Sequence, residues 1–220
     1  MSEWTDELET LTAEPMFDEP AADTRNAQIG IDADLKHVSR PERRRLLHML
    51  NVANAAKAID RLPEPRETFH VVMSGNFNAW DIVPAVLTLA APATIAELNV
   101  ATLGFNEQNA TELIGLLDAG QVGRCTFICS VYYKSMKDGA PVYDALAEAL
   151  TNRGHQIAAI RCHAKILGME LTDGRCLTVE SSANLRSCRN IEQFTLSHDA
   201  DLLHFHREWM MELLRHGSTL

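Results

Sequence analysis

His163-Ala164-Lys165-Ile166-Leu167-Gly168-Met169-Glu170-Leu171-Thr172-Asp173-Gly174-Arg175-Cys176-Leu177-Thr178-Val179-Glu180-Ser181-Ser182-Ala183-Asn184 is the stretch on which the chain turns. Side chains alternate along a strand, so His163 and Lys165, two apart, point the same way on a strand that runs on through Met169. Thr172-Asp173-Gly174-Arg175 is turn chemistry, with Asp-Gly as its strongest local signal. Cys176 to Val179 then reads as the return strand, which delivers Ser182 and Asn184 to one face. A third short strand, Ile191 to Leu196, brings Glu192 nearby, and Ser181, Arg186 and Arg189 flank the set.

The residues so collected are an imidazole, an ammonium, a hydroxyl, an amide and a carboxylate. Together they suit attack on a phosphate ester. His163 can act as nucleophile. Lys165, Ser182 and Asn184 can hold phosphoryl oxygens and stabilise the charge that builds in the transition state. Glu192 can accept the other ring N–H of His163 and fix its tautomer. Taken alone, His163 would be read as a satisfied core histidine, and Ser181-Ser182-Ala183-Asn184 as an ordinary strand end. Taken together, five polar groups beside apolar strands would each need a separate partner, which favours the joint reading.

This pattern resembles the phospholipase D superfamily, whose signature is H-x-K, an acidic residue, G-S-x-N and a later Glu. His163-x-Lys165 and Ser182-x-Asn184 match as they stand, and Glu192 stands where the family often has its histidine-orienting acid. Ser181 replaces the usual Gly, Glu170 stands where the family has Asp, and the gap from His163 to Ser182 is a few residues longer, placed in the Asp173-Gly174 turn. The resemblance implies a phospholipase D-like α/β fold and phosphodiester hydrolysis through a phosphohistidine, with no metal and no cofactor. Members with two motif copies bring two histidines into one site. This chain has one copy, so the resemblance implies a homodimer in which two His163 side chains face each other across a two-fold axis.

The 220 residues are enough for one α/β domain with a sizeable core. No apolar run is long enough to span a bilayer; the nearest, Ile82 to Ala91, is interrupted by Pro84 and stopped by Pro92. The opening Met1-Ser2-Glu3-Trp4-Thr5-Asp6 lacks the basic and apolar regions of a signal peptide, so the expected location is cytoplasmic. Five cysteines, Cys125, Cys129, Cys162, Cys176 and Cys188, fit buried free thiols in strands. A zinc site from Cys162, His163, Cys176 and Cys188 is the alternative, without a CxxC pair to support it.

Net charge is −10, which by itself argues against nucleic-acid binding. Residues 1–25, however, hold eight Asp and Glu against Arg25 alone, which leaves 22 acids against 19 Lys and Arg in the remainder. The charge therefore sits in a terminal arm and leaves the substrate of the rest undecided. Residues 1–38 are expected to be this acidic, flexible arm. Trp4, Leu8, Leu11, Met16 and Phe17 give it something to dock with, so it is a candidate for binding a protein partner or for competing with nucleic acid at a basic groove.

Residues 39–220 are expected to form the domain. Pro41 opens a helix running toward Leu62, with Arg40, Arg43, Arg44 and Arg45 in its first turns. Strands are expected at Phe69–Met73, Leu98–Leu103 and Cys125–Val131, the last an apolar run fit for a central strand. Helices are expected over Ala79–Leu89, from Asn106 or Asn109 to Gly120, from Pro141 to Gly154, and over Asp199–His216. Strands alternate with helices up to Gly154 and hairpin strands follow, which implies a mixed sheet flanked by helices on both faces. Tyr132, Tyr133 and Lys134, just after a strand, are expected in a loop, where they can line a groove by stacking and phosphate contact. A short single-motif chain without membrane features looks more like the superfamily's nucleases than its lipases. The alternatives are a phosphodiesterase for phospholipid or small nucleotides, and a non-catalytic interaction protein that keeps the fold.

Overall fold

The computed structural model describes residues 40–73, 75, 77–185 and 190–216. By backbone contacts the chain separates into Met1–Arg43 and Arg44–Leu220; the strands of the described residues all lie in the second unit. In chain order the elements are α1 (Arg40–Ile59), β1 (Thr68–Met73), a 3₁₀ turn at Ala79–Asp81, α2 (Ile82–Ala90), β2 (Ile95–Thr102), α3 (Glu107–Asp118), β3 (Val122–Ser130), α4 (Val131–Ser135), α5 (Gly139–Asn152), β4 (Gln156–Ile160), β5 (Ile166–Leu171), β6 (Cys176–Ser181), β7 (Glu192–His198) and α6 (Ala200–His216). The helix starts follow from local chemistry. Asn106 caps α3 by accepting from the Asn109 N–H at 2.9 Å, and Asn109 returns the favour to the Asn106 N–H. The Asp81 carboxylate closes the Ala79 turn onto the Asn78 N–H at 2.6 Å.

The seven strands form one mixed sheet in the order β1-β7-β6-β5-β2-β3-β4. β2, β3 and β4 are parallel, and every other pair is antiparallel. The Asp173-Gly174 hairpin forms as its dipeptide suggests: Gly174 takes φ +89°, and β5 pairs with β6 from Ile166↔Glu180 to Glu170↔Cys176. The expected central strand is shifted outward: β3 lies next to the edge, flanked by β2 and β4, and Val131 already belongs to α4.

Helices cover both faces, unequally. The larger core joins Ala55 and Ile59 of α1, Ile82, Val83 and Val86 of α2, Leu113 of α3 and Leu146 and Leu150 of α5 to the sheet. A smaller cluster on the other face packs Met210, Trp209, Leu213 and Leu214 of α6 against Ala101, Ile128, Ile160 and Ile166. α6 also makes polar contacts with the sheet. Arg207 reaches Glu170 at 3.2 Å and Glu97 at 3.8 Å, while Arg124 pairs with the same buried Glu97. Burial opposes ionisation of Glu97, but Arg124, the Asn99 amide and Arg207 together hold its carboxyl below the usual range. Leu203 of α6 sits over Gly168 so closely that a Cβ there would lie 2.7 Å from its Cδ1. Among the described residues no helix is long and apolar enough to cross a membrane.

Gly139 opens α5 against the short α4: a Cβ built on it would lie 2.2 Å from the Tyr133 carbonyl oxygen and 3.1 Å from the Tyr133 ring. Backbone cannot yield as a flexible side-chain tip can. Gly139→Ala is therefore expected to destabilise the fold by about 2 kcal/mol or more, as overpacking of a filled site does. The check is urea denaturation, in which the midpoint should fall with little change in slope.

Candidate active site

All seven described strands have an end on one rim of the sheet: β1, β2, β3, β4 and β6 finish there, and β5 and β7 begin there. From β4 at the sheet edge, residues 161–165 must pass the ends of β3 and β2 to reach β5. That crossing explains one departure from the sequence reading: His163 and Lys165 precede the strand, which starts at Ile166. The pairing nonetheless continues beyond it, because the Ser181 N–H donates to the Lys165 carbonyl at 3.0 Å. Lys165, Ser181, Phe194 and Val71 thus share one row, and Glu192 and Met73 form the next.

Side-chain bonds tie the rim together. The Lys165 ammonium lies 2.8 Å from His163 Nδ1 and donates to the His163 carbonyl oxygen at 2.9 Å. Burial pulls Lys165 below the usual lysine value, and the nearby Glu192 carboxylate pulls it back up. The Ser182 hydroxyl donates to Glu192 Oε2 and accepts the Gln193 N–H at 3.0 Å. Ser181, which stands in place of a glycine, donates to the Gln193 carbonyl at 3.1 Å and accepts the Ala183 N–H at 3.0 Å. It therefore shapes the turn that presents Ser182. Asn184 Oδ1 is buried and has no hydrogen-bond partner among the described residues. Beside Glu192 a hollow lined by Met73, Phe77, Asn78, Ala183 and Asn190 has a volume of about 10 Å³. That is room for roughly one water molecule.

Other expected site residues fare differently. Tyr132 and Lys134 sit on α4, a helix where a loop was expected. Tyr132 is exposed, and Tyr133 is buried against Phe105, so only the first is free to stack on a ligand. The Lys134 ammonium lies over the Tyr143 ring, 4.6 Å from its centroid. Arg186, Arg189 and Cys188 fall outside the described residues, as do residues 1–39. Glu170 points to α6 and Arg207, at the opposite end of β5 from Lys165. Cys176 opens β6 at that same far end, which removes it from any cluster with Cys162 and His163. Among the described residues no three His, Cys, Asp or Glu side chains converge as for a metal ion. Cys125 and Cys129 are buried, which pushes both thiols up to about 12. Sequence reasoning missed the backbone of Gln193, which receives both serines, and Asn190 beside the hollow. The alternation of β7 would have found the first.

No family model matches the chain, and no curated protein matches it. Among solved structures it is similar to NUC of Salmonella typhimurium, described as a phospholipase D family member, with TM-score 0.48 and 11% identity over 66% of this chain and 93% of that one. It is similar to NucT of Helicobacter pylori, with TM-score 0.48 and 11% identity over 68% and 97% of the two chains. It is also similar to TrmBL2, described as an archaeal chromatin protein with a novel mode of DNA binding, with TM-score 0.42 and 15% identity over 82% and 64%.

An amide oxygen buried without a partner costs about 1–3 kcal/mol relative to one that is bonded. Asn184→Ala removes that acceptor. The variant is expected to be at least as stable as the wild type in urea denaturation. A loss above about 1 kcal/mol would mean that the amide serves the fold.

Proposed function

We propose that this protein is a metal-independent phosphodiesterase acting on nucleic acid, with His163 as nucleophile and two copies sharing one site. The observation that supports the reading is the pairing of Lys165 with His163 and of Ser182 with Glu192 on one rim of the sheet, with the Glu192 carboxylate acting on the Lys165 ammonium. A ring nitrogen of His163 forms an N–P bond as the P–O ester bond breaks. The leaving oxygen takes a proton from His163 of the second copy. That same ring then draws a proton from water, whose oxygen displaces the ring nitrogen from phosphorus. Lys165 and Asn184 neutralise the charge on the non-bridging oxygens, and Ser182 is oriented by Glu192 to donate there once substrate displaces its present bond.

An open rim with a hollow of about 10 Å³ favours an extended substrate over an enclosed small one. Tyr132, 63% exposed on α4, offers a stacking surface for a base along such a path. Phospholipid or small-nucleotide hydrolysis uses the same chemistry, and the substrate panel below separates them.

Cleavage of labelled single- or double-stranded DNA or RNA is expected to persist in EDTA and to vanish in His163→Asn. Activity lost to chelation and restored by a divalent ion would overturn the mechanism, and an active His163→Asn would overturn the site. Coexpression of wild type with His163→Asn tests the sharing: purified mixed dimers should turn over at well under half the wild-type rate. Glu192→Gln should fold normally and cleave more slowly across neutral pH.

A further inference from the structure

The contact between His163 and Lys165 has a chemical consequence. A lysine ammonium has three N–H donors and no acceptor, so whatever ring atom faces it must offer a lone pair. The atom that faces it is Nδ1, at 2.8 Å. The single proton of the neutral ring then resides on Nε2. In this arrangement one ring nitrogen has its lone pair covered and the other has none to give. The second hydrogen bond of the ammonium, to the His163 carbonyl at 2.9 Å, closes Lys165 back onto the residue it covers. The pair is thus self-contained, two residues apart on the crossing segment, while Glu192 holds the Ser182 hydroxyl.

We propose that Lys165 masks the His163 lone pair in the free protein, and that a bound phosphodiester unmasks it by drawing the ammonium onto a non-bridging oxygen. A phosphate oxygen bears formal charge, so it attracts the ammonium by direct Coulomb interaction as well as by a hydrogen bond, which a neutral imidazole nitrogen or a carbonyl does not. The exchange moves hydrogen bonds and breaks no covalent bond. It leaves the nucleophile available only when the electrophile is in place. Lys165 is in this respect a positioning residue for His163, in addition to neutralising phosphate charge. Glu192 and Cys162 are the other ionisable groups that act on its ammonium. The inference rests on the phosphodiesterase reading for the nature of the ligand, but the tautomer can be observed without turnover.

The experiment is nitrogen-detected NMR of the full-length chain labelled in its histidine rings, with His163→Asn to assign the signals. In phosphate-free buffer at a pH where the ring is neutral, His163 should show the Nε2–H tautomer, with its Nδ1 signal displaced by a hydrogen bond. Lys165→Met should lose that displacement and yield a mixture of tautomers. Titrating inorganic phosphate into the wild type should move the Nδ1 signal toward its position in Lys165→Met. An Nδ1–H tautomer in the free wild type would overturn the proposal. So would a Lys165→Met spectrum identical to wild type, or an Nδ1 signal that phosphate does not move. The wild-type spectrum and titration decide the matter even if the variant folds poorly. An intact masking signature in a protein that cleaves no phosphodiester would refute the proposed function and leave the hydrogen bond standing.

Discussion

Everything at the rim depends on the antiparallel register of β5, β6 and β7. Because side chains alternate, a slip of one residue would carry Lys165 and Ser181 to the opposite face and bring Ala164 and Glu180 in their place. Three features set the register. The Asp173-Gly174 turn fixes the β5–β6 offset, with Gly174 in the left-handed region that a side chain resists. Leu167, Val179 and Leu196 of the three strands are buried in the larger core, so a slip would expose them. Gly168 lies beneath Leu203, and a side chain in its place would have to push the Leu203 tip aside. The site is thus a by-product of how the hairpin packs.

The Asp-Gly turn and the apolar runs are local signals, and the β5–β6 hairpin was legible from them. The placement of His163 and Lys165 before β5 was not, because it is set by strand order. A segment that must cross two strand ends cannot pair until it arrives, and order is a tertiary property. The same holds for β3. Its apolar run reads as central, yet one edge strand plus the covering helices α3 and α5 suffice to bury it. Tyr133 looked like a loop aromatic beside Tyr132. Its burial follows from Gly104 and Gly139 approaching its ring, and nothing local in the sequence announces that approach.

Glu170 illustrates how a motif position can be reassigned by its surroundings. It stands seven residues after His163, but on the far end of β5, register partner of Glu97. Two carboxylates side by side on one face repel unless cations intervene. Arg207 reaches both, and Arg124 reaches Glu97. Removing either arginine would leave a carboxylate partly unpaired beside a buried one, which is costlier than the pairing is stabilising. The cluster ties α6 to the sheet, and α6 supplies the apolar contacts beneath Cys162 and Ala164 of the crossing segment. Glu170 therefore supports the site through packing, from the opposite end of the strand.

The kind of partner that each polar group has distinguishes the two ends. At the far end Glu97, Glu170, Arg124 and Arg207 are matched in charge, as a structural cluster must be. At the rim the polar groups find partners that a ligand can replace: Lys165 with its neighbour His163, and Ser182 with Glu192. Asn184 Oδ1, like Asn99 Oδ1 and Thr178 Oγ1 within the sheet, has none among the described residues. A bond between two neighbouring side chains open to solvent contributes little to stability, so little is lost when a ligand replaces it. The Lys165 ammonium and the Ser182 hydroxyl are both donors, and a phosphate oxygen is an acceptor that can take their bonds over.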